Sequence, residues 1–410
     1  MLKNKYIPTG YKDSTVGVIP QEWEVKKVKS ICNIDANSLS SKTSPDYEFD
    51  YISLSDVDND SFEVIKSHQL FKTAPSRARR IVKRNDVVIS TVRPNLQGFF
   101  MIKNDVEDLI VSTGFSVLSP IKCNPYYLLA YFFSEAMTKQ FYSLVVGSNY
   151  PAVNSSDIAN LKIACPTLIE QQKIVEILRT WDEAIEKQTK LIKALEKRKQ
   201  ALMQRLLSGL VRLPGFTRKW ETVRLGEIGK FESGCVFSEN EQGGKIGIPF
   251  YKVSDMNLYG NETHMTTANN YVTYEQISRL KLNIITEESI IFAKVGAAIA
   301  LERKRHAKNF IIDNNMLAFI PNQNISYMKY WFDNTSLSKY IQVGALPSYN
   351  ASDLAVIKLN LPPLEEQIAI ANILVSADDE IKRHNTKLSQ LRKQKRGLIQ
   401  QLLTGKKRVK

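Results

Sequence analysis

The sequence has 410 residues, of which 43% are hydrophobic and 24% charged, so disorder is excluded for most of the chain. Its 56 lysines and arginines outnumber 42 aspartates and glutamates, and the net charge of +14 favours a polyanionic partner such as nucleic acid. Four cysteines without CxxC spacing argue against a disulfide framework or structural zinc. No apolar segment resembles a signal peptide or a membrane span, so we expect a cytoplasmic protein with no membrane partner.

The first block of the chain, from about residue 15 to 160, mixes short β-rich runs with turns. Strands are predicted at 51–54, 86–92 and 115–118, and a short apolar helix at 126–133. Such a mixture predicts an α+β domain.

This block also carries candidate DNA contacts. Six cations and no acid lie between Lys72 and Arg84, although a solvated surface charge is the simpler explanation for any single arginine. The next predicted strand ends in polar residues of the kind that recognise bases, since arginine pairs with guanine and asparagine or glutamine with adenine. The candidate DNA-binding residues are Arg77, Arg79, Arg80, Lys83, Arg93, Asn95, Gln97, Ser148, Asn149 and Tyr150.

A helix of about 40 residues is predicted next, ending at the C-cap residue Gly209. Its apolar residues recur at alternating steps of four and three, a heptad seam interrupted by Gln188 and Lys199. At about 1.5 Å per residue the helix is roughly 60 Å long, too long for one block to bury. We therefore expect it to pack against another helix.

The second half of the chain repeats the first. Residues 213–356 form a second α+β block, with strands predicted at 246–251, 289–293 and 316–320 and a helix at 327–332. Its candidate DNA-binding residues are Lys294, Arg303, Lys304, Arg305, Asn314, Asn315, Ser348, Tyr349 and Asn350.

The helical segments are the best-preserved part of this repeat. Residues 362–405 match residues 166–209 at a constant offset of 196, with 17 identities in 44 positions, and His384 and Lys395 interrupt the second seam. Farther upstream the likeness thins, although Trp23 aligns with Trp220. A duplicated chain favours antiparallel packing of its own two helices; an intermolecular coiled coil is the alternative. The last 30 residues hold 11 lysines and arginines and no acid, which suits either a DNA-binding tail or a solvated helix face.

No catalytic constellation is apparent. Four histidines show no paired metal-ligand spacing, so we predict no metal site and no catalytic residue. The run 124–127, Asn-Pro-Tyr-Tyr, partly matches the tetrapeptide of adenine-N6 methyltransferases, but a turn leading into a helix is the ordinary explanation. Glu302 and Lys304 have the E-x-K spacing of metal-dependent nucleases, without a placed partner carboxylate.

The repeated motifs resemble those of the specificity subunit of type I restriction–modification systems. Each copy has a variable block, a P-x-x-x-E-Q segment (166–171 and 362–367) and a heptad helix ending in Q-x-L-L-[ST]-G (204–209 and 400–405). One departure is Asn85-Asp86, where relatives usually have Gly-Asp before a central strand.

The resemblance implies an α+β fold with two target recognition domains separated by two long helices packed as an antiparallel, pseudo-two-fold coiled coil. The corresponding segments are 1–164 (first recognition domain), 165–210 (first spacer helix), 211–360 (second recognition domain) and 361–410 (second spacer helix and basic tail).

The implied function is non-catalytic reading of a bipartite duplex DNA target, with the helices setting the spacer. Two modification subunits would bind S-adenosylmethionine and methylate adenine, and restriction subunits would hydrolyse ATP and cut DNA; this chain itself would hold no cofactor. The expected partner-binding residues are Glu170, Gln171, Ile174, Glu366, Gln367 and Ile370. A self-contained DNA-modifying enzyme and a coiled-coil scaffold without DNA specificity remain alternatives.

Overall fold

Two long helices carry the heptad seams predicted from the sequence. They are α4 (Leu168–Leu207) and α8 (Leu364–Leu402). The computed structural model describes residues 7–57, 64–145, 151–236, 238–342 and 347–409. The chain divides into two compact units, the first made of residues 1–189 and 387–410 and the second of residues 190–386. Because the unit boundary falls inside each long helix, each unit contains one α+β block and half of each helix.

The first unit contains twelve strands and three shorter helices among its described residues. The strands are β1 (Tyr11–Lys12), β2 (Ile19–Pro20), β3 (Glu24–Lys27), β4 (Cys32–Ile34), β5 (Glu48–Ile52), β6 (Ser67–Leu70), β7 (Ala78–Ile81), β8 (Val87–Ser90), β9 (Phe99–Met101), β10 (Leu109–Ser112), β11 (Phe115–Pro120) and β12 (Lys162–Cys165). The helices are α1 (Pro125–Phe132), α2 (Glu135–Val145) and α3 (Ser155–Asn160).

These strands form two four-stranded sheets and two strand pairs. One sheet has the order β4-β11-β8-β9 and is antiparallel; the other has the order β6-β5-β10-β7, in which β5 and β10 are parallel. The central strand β8 is fully buried, as its run of β-branched residues predicts. The pair β12-β3 joins the end of the block to its beginning.

The second unit contains nine strands and three shorter helices among its described residues. The strands are β13 (Glu221–Arg224), β14 (Gly229–Ser233), β15 (Ile248–Tyr251), β16 (Asn270–Val272), β17 (Ser289–Ala293), β18 (Lys304–Ala307), β19 (Ile311–Ile312), β20 (Met316–Pro321) and β21 (Lys358–Leu361). The helices are α5 (Tyr274–Leu280), α6 (Ile325–Asn334) and α7 (Ala351–Ala355).

The second unit repeats the topology of the first. Its antiparallel sheet β14-β20-β17-β18 corresponds strand by strand to β4-β11-β8-β9. Its other sheet, β16-β15-β19, keeps the parallel pair, here β15 and β19. The predicted α+β class, with two repeated domains and two long helices, is therefore confirmed.

Each unit has a core that includes apolar residues from both long helices. In the first unit, Ile174 and Leu178 of α4 pack in one cluster with Ile399 and Leu402 of α8. In the second unit, Leu206 and Leu207 of α4 pack with Ile370 and Leu374 near the start of α8. Ile370 and Leu374 are equivalent to Ile174 and Leu178 at the 196-residue offset. Burial of these side chains is the main stabilising contribution to the helical parts of each unit.

The two helix segments run antiparallel within each unit. In the first unit Asp182 of α4 pairs with Lys395 of α8, while Glu170, farther toward the start of α4, pairs with Arg408 beyond the end of α8. In the second unit Lys199 pairs with Asp378 at 2.5 Å. The two interruptions of the seam that were predicted at Lys199 and Lys395 are thus ion pairs between helices.

Both long helices end in the predicted glycine C-caps. Gly209 and Gly405 have φ angles of 72° and 68°, a left-handed conformation that glycine adopts without a Cβ clash. The chain then turns back, since Val211 N donates to Arg205 O at 3.2 Å and Lys407 N to Gln401 O at 3.0 Å. The C-terminal residues 403–409 are consequently part of the first unit.

The Asn85-Asp86 departure is accommodated by the turn before β8. Asn85 has a φ of 71°, which asparagine tolerates better than most residues. Asp86 is buried and accepts hydrogen bonds from Lys83 N at 2.9 Å and from Ser119 Oγ at 2.6 Å. The turn therefore forms with asparagine at position 85.

Among the residues that the structure describes, none belongs to a helix of the length and apolarity needed to cross a membrane.

Candidate nucleic-acid interface

The predicted base-reading residues of the first unit lie in a hairpin between β8 and β9, here called the first hairpin (residues 87–101). Its loop contains a 3-10 turn from Pro94 to Leu96, with Arg93 and Gln97 at φ angles of 48° and 55° on either side. Arg93 N donates to Pro151 O at 2.7 Å, which holds the start of the loop. Positive φ at two long side chains costs conformational energy and is typical of functional loops.

The second unit has an equivalent hairpin between β17 and β18, the second hairpin (residues 289–307). Its loop contains a 3-10 helix from Ala297 to Leu301 and starts at Gly296, whose φ is 79°. Gly296 N donates to Pro347 O at 2.9 Å. Since Pro151 and Pro347 are equivalent at the 196-residue offset, both hairpins are held by the same backbone hydrogen bond.

In the first unit, the candidate residues differ in how far their side chains are exposed to solvent. Arg77, Lys83, Arg93 and Asn95 are exposed, and Arg79 and Gln97 are half-buried. The Arg79 guanidinium lies 4.9 Å from the ring centroid of Phe71. Ser148, Asn149 and Tyr150 lie outside the described residues.

The candidate Arg80 is engaged in contacts within the unit. Its guanidinium pairs with the Asp35 carboxylate at 2.6 Å, and the two side chains are only 18% and 11% exposed. Arg80 also donates to Ser155 Oγ at 3.4 Å. The residue therefore joins the β7 edge to α3 instead of facing solvent.

In the second unit, two candidates are buried. Lys304 is 3% exposed, and its ammonium contacts Glu302 Oε2 at 2.8 Å and Thr335 O at 3.0 Å. Tyr349 is 4% exposed and packs in the core with Phe292. Both side chains are therefore engaged within the unit.

The remaining candidates of this unit lie nearer the surface. Asn314, Asn315 and Asn350 are exposed, while Lys294, Ser348 and Arg305 are half-buried. Arg303 is half-buried as well and its guanidinium contacts Asn257 Oδ1. Ser348 forms a bridge with Val295, so it lies beside the start of the second hairpin.

Glu302 and Lys304 form a structural pair, not the nuclease element that their spacing suggested. Burial alone would raise the pKa of Glu302, but the Lys304 ammonium and the Ser336 hydroxyl lower that pKa to about 2. The run at 124–127 is likewise a helix start, with the Asn124 side chain accepting hydrogen bonds from Tyr126 N and Tyr127 N. No group of three or more metal-ligating side chains occurs among the described residues.

The six predicted partner-binding residues are all buried within their own unit. Glu170 accepts hydrogen bonds from Trp23 Nε1 at 3.1 Å and from Arg408 Nε at 2.8 Å. Glu366 accepts the same pair of bonds, from Trp220 Nε1 at 3.0 Å and Arg212 Nε at 2.7 Å. We call this Trp-Glu-Arg arrangement the clamp of each unit.

The glutamine that follows each clamp glutamate bonds to backbone groups. Gln171 Nε2 donates to Pro166 O at 2.9 Å, and its Oε1 accepts from Asn124 N at 2.8 Å. Gln367 makes the same two bonds, to Pro362 O and from Asn324 N.

Ile174 and Ile370 are each 1% exposed in the cores of their units. The E-Q motif therefore fixes the α+β block on the start of a long helix, and its six predicted partner-binding side chains face the interior of their own unit.

The clamp arginines are apparent neither from the heptad pattern nor from the E-Q motif. Arg212 and Arg408 are separated by 196 residues, so they continue the ungapped match three residues beyond Gly209 and Gly405. Because the predicted repeat ended at the two glycines, Arg408 was predicted only as part of a basic tail. Its guanidinium instead closes the first unit on Glu170 and Glu22.

Comparisons with known proteins agree with this duplicated architecture. A family model described as the type I restriction modification DNA specificity domain matches residues 20–197 and again 217–393.

Among curated relatives, a putative type I restriction enzyme MjaX specificity subunit of Methanocaldococcus jannaschii is 27% identical, over 99% of this chain and 98% of the relative. The MjaIX specificity subunit of the same organism is 22% identical, over 98% of this chain and 97% of the relative.

Solved structures show the same fold. A chain from a structure concerned with complex assembly and conformational transition of the type I R-M system has a TM-score of 0.66 and 22% identity, covering 94% of this chain and 99% of that chain. The S subunit of M. genitalium has a TM-score of 0.51 and 15% identity, covering 93% and 96%.

The family model accounts for most of the chain in two copies, as the internal repeat predicted. The chain therefore belongs to the family of type I restriction–modification DNA specificity subunits, the non-catalytic components that recognise bipartite DNA targets through two recognition domains.

Proposed function

We propose that the first and second hairpins each read one half of a bipartite duplex DNA target. The observation that carries this proposal is the shared hydrogen bond from the hairpin loop to Pro151 or Pro347. It preorganises two equivalent loops at the ends of central strands, while the side chains on those loops differ between the units. Different side chains on one scaffold are what two different half-sites require.

In the first unit the proposed base contacts are Arg93, Asn95 and Gln97. Arg93 and Asn95 are exposed on the strained loop. Arginine can bond to guanine and asparagine to adenine with two hydrogen bonds each, which distinguishes those bases from the others. The exposed cations Arg77 and Lys83, together with Arg79, would contact phosphates and set the position of the unit on DNA.

In the second unit the proposed contacts are Lys294, Arg303, Arg305, Asn314 and Ser348. Asn314 is exposed next to the buried Asp313, whose carboxylate accepts a hydrogen bond from Asn315 N at 3.1 Å. Ser348 lies on the segment that holds the hairpin loop. Because few of these residues match the first unit, we expect a different half-site.

Methylation and cleavage would belong to other subunits. We propose that two modification subunits bind S-adenosylmethionine and methylate adenine, and that restriction subunits join the complex to hydrolyse ATP and cut DNA.

With the E-Q residues buried, the exposed leucines at the start of the long helices are the better candidates for docking the modification subunits. Leu168 and Leu364 are equivalent residues that are 59% and 50% exposed. An aspartate at both positions is expected to release the modification subunits in a pull-down without unfolding either unit.

The spacer role of α4 and α8 is open to a separate test. Seven residues inserted after Thr189 and seven after Thr386, at the two unit boundaries, would lengthen both helices by one heptad and keep the seam in phase. We expect the number of unrecognised base pairs between the two half-sites of the methylated target to increase, while the sequences of both half-sites stay the same. A changed half-site with an unchanged gap would contradict the spacer role.

The DNA-reading proposal is tested with the complex of this chain and its modification subunits. Sequencing of methylated adenines defines the target, and binding to that duplex is then measured for Arg93→Ala, Asn95→Ala, Lys294→Ala and Ser348→Ala. Loss of a base contact is expected to cost about 1–3 kcal/mol and to relax one position in one half-site. Arg218→Ala, a 77% exposed arginine outside both hairpins, is the matched control.

Two results would contradict the proposal. One is unchanged affinity and sequence preference in all four variants. The other is methylation of the target by the purified chain alone, which would make it a self-contained enzyme.

A further inference from the structure

Each hairpin presents an exposed leucine at the same point of its loop. Leu96, the last residue of the 3-10 turn in the first hairpin, is 49% exposed. Leu301, the last residue of the 3-10 helix in the second hairpin, is 61% exposed. Neither residue contributes to a core cluster, and the packing of the units does not explain why a large apolar side chain occurs there.

The backbone after each leucine is held in the same unusual conformation. Gln97 has a φ of 55° and donates its N–H to Pro94 O at 3.1 Å. Glu302 has a φ of 45° and donates its N–H to Ile299 O at 2.9 Å. Both units thus accept a left-handed, non-glycine residue that turns the chain directly after the leucine. The same turn occurs although the second loop is two residues longer, counted from Val92 and Val295 to the leucines.

The polar groups around the two leucines suit a DNA surface. In the first loop the exposed Asn95 precedes Leu96, and the exposed Arg93 lies at the loop's start. In the second loop Glu302 would repel phosphate, but its carboxylate is bonded to Lys304 Nζ at 2.8 Å and accepts from Ser338 N at 3.1 Å. The leucine therefore remains the exposed side chain at the end of each 3-10 segment.

We propose that Leu96 and Leu301 are apolar base contacts of the two readers, each packing against a thymine methyl group in the major groove of its own half-site. The inference rests on the proposed function, because it assigns these leucines to the DNA that the hairpins read. A leucine offers no hydrogen bond, and the thymine C5-methyl is the apolar group that base edges present in that groove. Since the proposed modification is on adenine, a methylated half-site contains at least one A·T pair and hence a thymine on one strand.

The test replaces each thymine of the target in turn by deoxyuridine, which lacks only this methyl group. Affinity is measured for the complex of the full chain with its modification subunits. Loss of one buried methyl is expected to weaken binding by about fourfold at one thymine in each half-site. In the Leu96→Ala complex the first of these effects should vanish, and in the Leu301→Ala complex the second should vanish.

Leu210→Ala is the matched control, since Leu210 is 80% exposed and follows α4 outside both hairpins. It should retain both deoxyuridine effects, and all three variants should keep the wild-type thermal stability because the replaced side chains are exposed.

The inference is overturned if deoxyuridine weakens binding equally in wild type and in the two hairpin variants. It is also overturned if the leucine variants lose affinity while no thymine methyl matters, which would indicate a wedge between bases. A wild-type complex that does not distinguish the target from a scrambled duplex would instead refute the proposed function.

Discussion

The two units share the contacts that hold the α+β block and the hairpin loop in place, and they differ in the side chains on those loops. Both use a tryptophan, a buried glutamate and an arginine to fix the α+β block on the helices, with corresponding bonds between 2.7 and 3.1 Å. Both also hold their hairpin loop through a proline carbonyl. At the loops themselves the first unit has Arg93 and Asn95, whereas the second has Gly296 and a longer 3-10 helix.

The two clamps also differ in how well they are shielded from solvent. The Glu366 side chain is fully buried, whereas that of Glu170 is 11% exposed. Each arginine bonds its clamp glutamate through both Nε and Nη2, and Arg408 also bonds Glu22 through Nη1. The same clamp can therefore contribute different free energies of unfolding to the two units. Substitutions at equivalent positions measure that difference.

The largest difference is expected for the clamp arginines. Arg212→Ala leaves the buried Glu366 carboxylate without its cation, so we expect the second unit to lose about 3 kcal/mol of unfolding free energy. Arg408→Ala should cost the first unit less, about 1–2 kcal/mol, because the Glu170 side chain is less completely buried. Urea unfolding monitored by hydrogen exchange assigns each loss of unfolding free energy to one of the two units.

Two variants sharpen the clamp comparison. Arg212→Lys keeps the charge but loses the two-nitrogen geometry, so it should recover only part of the stability. Lys219→Ala, an exposed cation of the same segment, should have no measurable effect. Equal losses for Arg212→Ala and Arg408→Ala would show that burial of the glutamate does not set the difference.

The clamp also shows how far sequence reasoning extends. The 196-residue offset predicted the repeat, the long helices and their C-caps, because heptad spacing and left-handed glycines have local causes. Lys199 and Lys395 were predicted only as polar interruptions of the seam, and the structure shows that they form ion pairs between the helices. A sequence does not show, however, whether a polar residue is buried, so the E-Q motif was interpreted as a surface for partners when its side chains bond inside each unit.

The same limitation applies to the basic residues. Arg77 and Arg80 lie three positions apart in one basic segment, yet Arg77 is exposed and Arg80 is paired with Asp35, 45 residues earlier in the chain. Lys304 is buried because Glu302 and a backbone carbonyl from the segment after α6 neutralise and solvate its ammonium. Such pairings depend on tertiary contacts that composition and spacing do not specify.

A smaller difference is expected for the ion pairs between the helices. In the first unit Asp182 pairs with Lys395, whereas in the second Asp378 pairs with Lys199 and also accepts from Tyr330 Oη at 2.6 Å. Lys395→Met and Lys199→Met should each cost about 1 kcal/mol or less, since both pairs are partly exposed. Tyr330→Phe combined with Lys199→Met should cost more than either change, because Asp378 then loses both partners.

The charge swap Asp182→Lys with Lys395→Asp controls this prediction. It should recover the stability lost by Lys395→Met if the pair acts through its charges. A swapped protein as unstable as Asp182→Lys alone would show that local packing, not the ion pair, sets the cost.

The smallest difference is expected in the response of the units to pH. In the second unit the rings of His264 and His306 meet edge to face with centroids 4.8 Å apart, and burial lowers both pKa values from 6.5. Lys329 and the neighbouring histidine act in the same direction on His306, while Glu288, 3.9 Å from His306 Nε2, opposes them.

The sign of the pH effect follows from which state binds protons more readily. The unfolded chain protonates these histidines first, so the second unit should be fully stable above pH 6.5 and lose stability as the pH falls below it. His306→Gln should flatten that dependence, whereas His68→Gln in the first unit, where His68 is 66% exposed, should leave it unchanged. Hydrogen exchange at pH 7 and pH 5, corrected for intrinsic rates, measures each unit separately. A wild-type dependence that persists in His306→Gln would place the titrating group elsewhere in the second unit.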